Sequence, residues 1–222
     1  MKQKYSVRNC RAYLLATAFV ILLSLKGYSQ SSAQISSDEL KDFLHILSTR
    51  AKNVKTMSAS FKQYKKMEMM KGEMLSEGKF IYSDGDKMAF LYEKPGKYSM
   101  IINGSKFKMS TASGSSKMDL SSNPVMKQMN ELIQAVFTGT IDQAFSNYDI
   151  TFNYNDGGIS ALVKPKSSRI ASMIKSIYVL FDKATGEIKE ITVLEGSAGT
   201  TRYLFFDQKT NVIIDNEIFA IN

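Results

Sequence analysis

Very few residues of this chain could do covalent chemistry. It has one histidine, His45, and one cysteine, Cys10. His45 falls off the apolar stripe of a helix and so faces solvent. A Ser–His–Asp triad would have to recruit it, with no Gly-x-Ser-x-Gly turn to present the serine. No cluster of His, Asp and Glu has metal-ligand spacing, and no Gly-rich loop is placed to cradle a phosphate. The carboxylates Asp84 and Asp86 sit in a turn, where a solvated loop accounts for them. The expectation is a protein that is not an enzyme and has no metal, no cofactor and no catalytic residue.

What remains is apolar, aromatic and sulfur-bearing. Met57, Ala59 and Phe61 alternate with Ser58, Ser60 and Lys62. Phe80 and Tyr82 alternate with Lys79 and Ser83; Met88, Phe90 and Tyr92 lie two apart; Phe107 and Met109 alternate with Lys106, Lys108 and Ser110. A period of two places each set on one face of a sheet. Such a face is either a packed core or the lining of an apolar cavity. Methionine is flexible and polarizable and suits ligands of varied shape, although it also fills gaps in ordinary cores. Met67, Met69, Met70 and Met74 crowd a hairpin connection. They form either a gate or membrane-contacting tip, or a cluster packed back on the sheet rim.

The elements that position these residues are legible in outline. Ser36-Ser37-Asp38-Glu39 has the form of a capping box, and Leu40, Phe43, Leu44 and Leu47 follow helical spacing up to about Asn53. Asn103-Gly104 reads as a hairpin turn with positive φ at both positions. Ser113-Gly114-Ser115-Ser116 breaks the sheet pattern. Asn123-Pro124 starts a second helix with the stripe Met126, Met129, Leu132, Ile133, Val136 and Phe137, stopped by Gly139. A short helix covers Ile141 to Phe145. Strands resume from Tyr148, with an Asp156-Gly157-Gly158 turn and a short helix or crossover at Ser167 to Lys175. A terminal strand is expected at Glu217 to Ile221. The order helix, strands, helix, strands implies one large curled antiparallel sheet with helices on its concave side.

The first 33 residues read as a secretory signal peptide. Lys2, Lys4, Arg8 and Arg11 precede an apolar run from Leu14 to Leu25, and Ser31-Ser32-Ala33 fits a cleavage site. The run is shorter than the roughly 20 residues a membrane helix needs. Cys10 lies before the run, not at the cleavage point, so no lipid is expected on it. The mature chain, residues 34–222, is then a single cysteine-free domain without disulfides. Counting Lys26, the leader has five of the 29 basic residues, leaving 24 against 21 acidic ones, a net charge of +3. That balance does not point to nucleic acid.

The segment Val54-Lys55-Thr56-Met57-Ser58-Ala59-Ser60-Phe61-Lys62-Gln63 resembles the opening of LolA-type periplasmic lipoprotein carriers. Gly78-Lys79-Phe80, Met88-Ala89-Phe90-Leu91-Tyr92 with Glu93-Lys94-Pro95, and Met100 to Phe107 continue the likeness, over about residues 37 to 112. The resemblance implies an α+β, mainly β fold: an unclosed antiparallel barrel of about 11 strands with a helical lid. It implies a periplasmic carrier whose apolar cavity holds the acyl chains of lipoproteins, receives them from inner-membrane release machinery and yields them to an outer-membrane acceptor, as a monomer. The cavity residues expected are Met57, Phe61, Phe80, Tyr82, Met88, Phe90, Tyr92, Phe107 and Met109 from the sheet, facing Met126, Met129, Ile133 and Phe137 from the helix. Where well-known members have an Arg-Pro pair whose Arg bonds to the lid, this chain has Asp84-Gly85. An Asp cannot donate those bonds, so another latch or another lipid is implied. The alternative is an envelope lipid-sensing or scaffold domain of the same fold, or a carrier of a different lipid.

Overall fold

The computed structural model describes residues 35–68, 71–83, 86–138, 140–155, 157–197 and 199–221. The leader with Cys10, and Met69, Met70, Asp84, Gly85, Gly139 and Asp156, lie outside these residues. The chain opens with α1 (Ser37–Asn53), followed by β1 (Thr56–Lys66), β2 (Met74–Ser83), β3 (Lys87–Lys94), β4 (Tyr98–Asn103), β5 (Lys106–Thr111) and β6 (Gly114–Asp119). Helix α2 (Pro124–Thr138) then leads through a 3-10 turn (Ile141–Ser146) to β7 (Tyr148–Asn155) and β8 (Gly158–Pro165). The short α3 (Ser168–Ala171) precedes β9 (Ile174–Phe181), β10 (Ile188–Glu195) and β11 (Thr200–Thr210).

These eleven strands form one antiparallel sheet in the order β6-β5-β4-β3-β2-β1-β11-β10-β9-β8-β7. Its edges β6 and β7 do not pair among the described residues, so the fold is an unclosed α+β barrel. The centre is the β1–β11 pair, which joins the two ends of the chain.

Register carries the apolar alternation from strand to strand. Met57 opposes Tyr82, and Ala59 opposes Phe80. Phe80 opposes Phe90, which opposes Met100, which opposes Met109. All therefore share the inner face, because residues directly opposite in an antiparallel ladder point the same way. Gly78 sits between Phe61 and Tyr92 in this register. The two rings close over it, with centroids 5.0 Å apart in an edge-to-face arrangement.

The helices begin for local reasons. The Ser36 Oγ accepts from the Glu39 amide at 3.4 Å while the Glu39 carboxylate accepts from the Ser36 amide at 3.3 Å, completing the capping box. The Asn123 Oδ1 accepts from the Val125 amide at 2.9 Å at the start of α2. Phe43 of α1 is buried edge-on against Phe152 and Phe181, with centroids 6.3 and 5.7 Å away, so α1 covers the β7–β9 part of the inner face. His45 is exposed.

Three expectations are corrected. The β4–β5 loop is Gly104-Ser105, not Asn103-Gly104, and only Gly104 has positive φ, at 59°. Asn103 instead pairs with Lys106 in the ladder. The segment read as a break holds β6, a strand from Gly114 that pairs with β5. It shows no alternation because it is an edge strand exposed for most of its length, so neither face needed apolar residues. The run Glu217 to Ile221 is no strand. Asp215 caps a 3-10 turn (Asn216–Phe219) by accepting from the Glu217 amide at 2.9 Å. That turn drives Phe219 into a second small core on the outer face with Ile81, Ala89 and Ile101.

A Cβ at position 78 would strike the Leu91 carbonyl and come within 2.9 Å of the Phe61 ring. Gly78→Ala is expected to cost about 1–3 kcal/mol, the range for overpacking a filled site. Urea unfolding of the variant against the parent measures this, and an unchanged midpoint would contradict the packing described.

Candidate functional site

Between α2 and the inner face lies a cavity of about 640 Å³. Helix α2 roofs it with Met129, Leu132, Ile133, Val136 and Phe137. One wall comes from β3, β4 and β5, through Phe90, Met100, Ile102, Phe107 and Met109. The opposite wall comes from β9, β10 and β11, through Ile174, Ile177, Ile191, Val193 and Phe205. Met74, exposed on the rim, lines one end. Met67 is also exposed.

Seven of the expected residues come together here: Phe90, Tyr92, Phe107, Met109, Met129, Ile133 and Phe137. Met57, Phe61, Phe80, Tyr82 and Met88 share the inner face but lie in the packed core. Phe61 is fully covered, with Phe90, Tyr92 and Tyr203 at 5.7, 5.0 and 5.9 Å. Phe80 is fully covered as well: Phe137 stacks on it at 4.4 Å with the rings 24° apart. Alternation states which face a side chain takes and leaves open which stretch of that face a helix covers. Met126 is half-buried and lies outside the cavity walls. Leu132 and Val136, which belong to the same helical stripe, line the cavity beside Met129, Ile133 and Phe137.

Among the residues missed were Tyr98, Met100 and Ile102 on β4, Gln63 and Ser76 at the polar end, and the whole β9–β11 wall. Their signal was present. Ile191 and Val193, and Thr201, Tyr203 and Phe205, show the same period of two as β3.

Helix α2 is held over the cavity by more than ring contacts. The Asn130 Nδ2 donates to the Gly104 carbonyl at 3.1 Å, tying the helix to the β4–β5 turn. The Tyr148 hydroxyl donates to the Gln128 carbonyl at 3.2 Å, tying it to β7.

The cavity has one polar end. The Gln63 Nε2 donates to the Tyr203 hydroxyl at 2.7 Å, and the Tyr203 and Tyr92 hydroxyls are 3.2 Å apart. Tyr98 stacks on Tyr92 at 3.9 Å. Burial pushes the Tyr92 phenol well above its ordinary range, and the nearby Tyr203 adds to this. Burial raises Tyr203 and Tyr98 as well. All three therefore stay neutral at physiological pH. Among the described residues no three His, Cys, Asp or Glu side chains converge as a metal site would require.

The chain also matches a family model. That model, described as outer membrane lipoprotein carrier protein LolA, covers residues 52–222. The chain belongs to the LolA family. The match begins at the end of α1 and takes in the whole sheet. No curated protein matches the chain. Solved structures similar to it include the MucA/MucB complex of Pseudomonas aeruginosa, at 12% identity and a TM-score of 0.47, with 84% of this chain and 62% of that one covered. A LolA-superfamily protein from Nitrosomonas europaea is 8% identical with a TM-score of 0.42, covering 81% and 96%. The lipoprotein LppX of Mycobacterium tuberculosis is 10% identical with a TM-score of 0.45, covering 81% and 100%. Carriers rather than enzymes are what the LolA family's description names. No described helix of this LolA-family chain is long and apolar enough to cross a membrane.

Two outcomes follow from this geometry. Phe80→Ala should cost about 3–5 kcal/mol, as for a packed core Phe, whereas Phe90→Ala, on the cavity wall, should cost less. Phe90→Glu should abolish binding of a fluorescent fatty-acid probe, because an unpaired carboxylate in an apolar site is strongly unfavourable. Thermal unfolding and probe titration read both; equal costs for Phe80→Ala and Phe90→Ala would show that the wall is ordinary core.

The raised tyrosines also set a pH dependence. The folded state holds the Tyr92 proton more tightly than the unfolded chain, whose phenols titrate near pH ~10. Their contribution is complete below that value and is lost as pH rises above it. Unfolding free energy should therefore fall on the alkaline side of pH ~10, and more shallowly in Tyr92→Phe. Urea titrations across that range decide it; a parent and a variant with the same alkaline slope would exclude Tyr92 as the source.

Proposed function

We propose that this chain carries acylated lipoproteins through the periplasm to the outer membrane, holding their acyl chains beneath α2. The observation that carries the reading is the cavity of about 640 Å³ walled by aliphatic, aromatic and methionine side chains. That size falls within the ~300–1,000 Å³ of ordinary ligand sites. Each acyl methylene buried contributes about 0.8 kcal/mol, so even part of one chain gains several kcal/mol over water. Membership of a family described as lipoprotein carriers supports the cargo. In this reading residues 1–33 are a leader removed on export, and residues 34–222 are the carrier. Release machinery at the inner membrane and an acceptor at the outer membrane are its partners.

The carrier has to bind without becoming a sink. The cavity lies between a helix and a sheet rather than inside a closed barrel, so α2 can lift without breaking the strand ladder. The bonds Asn130–Gly104 and Tyr148–Gln128 hold α2 down among the described residues. They do the work that the Arg of other family members does, for which Asp84 has no donor.

Native mass spectrometry of protein purified from the periplasm tests the reading. The expected result is a processed chain starting near Gln34, with part of the population holding an acylated protein that Phe90→Glu no longer retains. Protein that is always empty, and that gives no displaceable signal with a fluorescent acyl probe, would sink the proposal.

A further inference from the structure

The cavity is amphiphilic along its length, and its polar end is neutral. Gln63, Ser76, Tyr92, Tyr98 and Tyr203 all line it. The ladder places them side by side: Gln63 opposes Tyr203 on one flank and Ser76 on the other, and Tyr92 opposes Tyr98. The Gln63 amide and the Tyr203 and Tyr92 hydroxyls form a continuous hydrogen-bonded chain at 2.7 and 3.2 Å. Hydroxyls rotate, so such a chain can offer a donor or an acceptor to a guest. Beyond it lies Lys65, the cavity's one cation among the described residues. Its charge is offset by Glu195, 3.7 Å away, and Glu195 also accepts from the Thr201 hydroxyl at 2.7 Å. The end of the cavity thus has hydrogen-bonding capacity and no net charge.

We infer that this band of Gln63, Tyr92, Tyr98 and Tyr203 is a head-group subsite that selects acyl chains ending in an uncharged ester, amide or hydroxyl group over those ending in an anion. The inference rests on the carrier reading and adds the ligand's polar chemistry to it. A neutral carbonyl or hydroxyl exchanges water for the tyrosine hydroxyls. A carboxylate or phosphate would be desolvated at an end with no net positive charge, near the Glu195 carboxylate that offsets Lys65. Acyl esters occur both on lipid-modified proteins and on free glycerolipids, and the subsite reads the neutral head they share.

The test is competition against N-phenylnaphthylamine, an uncharged apolar fluorophore, at a pH of about 8, where a fatty carboxyl is ionised. Monolaurin and laurate have the same chain and differ in the head. Monolaurin should displace the fluorophore at a concentration about ten-fold lower, the size expected from one or two buried hydrogen bonds. In Tyr203→Phe that preference, read as the ratio of the two displacing concentrations, should fall toward unity. Should Tyr203→Phe fail to fold, Tyr98→Phe, at a half-buried position, supplies the same readout. Equal displacement by monolaurin and laurate, or a preference unchanged in both variants, overturns the inference and leaves the carrier reading standing. Absence of any fluorophore binding overturns both. A diacylated cysteinyl peptide measured beside diacylglycerol separates the sources: the tighter of the two names the natural one, and either result retains the neutral-head rule.

Discussion

The stacking of Phe137 on Phe80, at 4.4 Å, is the contact on which the rest depends. Phe80 is fully buried in the middle of the sheet, and Phe137 also meets Phe90 and Phe205 edge-on, at 6.4 and 5.7 Å. Rings held in this way do not interpenetrate, so they determine how close one end of α2 can come to the strands. Beyond Phe137 the helix turns smaller and more flexible side chains, Ile133 and Met129, toward walls that they do not reach across. The cavity is the space left by that prop. A smaller side chain at position 137 would remove that prop, and close packing would favour filling the space.

The same aromatic cluster joins the apolar wall to its polar end. Phe90 and Tyr92 are neighbours on one face of β3, and Tyr203 and Phe205 on one face of β11, each pair spanning the change from ring to hydroxyl. The rings of Phe90 and Tyr92 on one side and of Tyr203 on the other pack against Phe61. Aromatic residues supply large apolar area with few rotatable bonds, and tyrosine adds a polar tip. The lining is thus stiff at its base and soft at α2 and Met109.

The outer face of the sheet has a separate task. Ile81, Ala89 and Ile101 would form an exposed apolar patch on β2, β3 and β4 if the C-terminal segment did not cover them with Phe219. The Asn103 Nδ2 donates to the Phe219 carbonyl at 3.2 Å and fixes the cover in place. Asn103 belongs to β4, whose Tyr98 and Met100 point into the cavity, so one strand is braced outside and used inside. At the edge, β6 is short, exposed and polar, which discourages pairing with a second sheet.

The sequence by itself determined the sheet's two faces and the capped starts of α1 and α2. Each follows from local spacing: period two for Phe80 and Tyr82, helical period for Leu40 to Leu47, a capping box at Ser36. It also carried the likeness to the LolA family through ordered strand and turn signals. It did not reveal β6, because an exposed edge strand needs no apolar alternation, nor the fate of Phe219, because a 3-10 plug and a short strand share composition. Only the tertiary structure decided which inner-face residues line a cavity and which are core. Phe80 and Phe90 have the same period and oppose each other in register, yet Phe80 lies under Phe137 and Phe90 borders open space. The difference is how α2 crosses the sheet. Pairing Gln63 with Tyr203, 140 positions apart in the chain, likewise needed the β1–β11 ladder to exist. Periodicity is a local property of the chain, whereas a cavity is what non-local packing leaves unfilled.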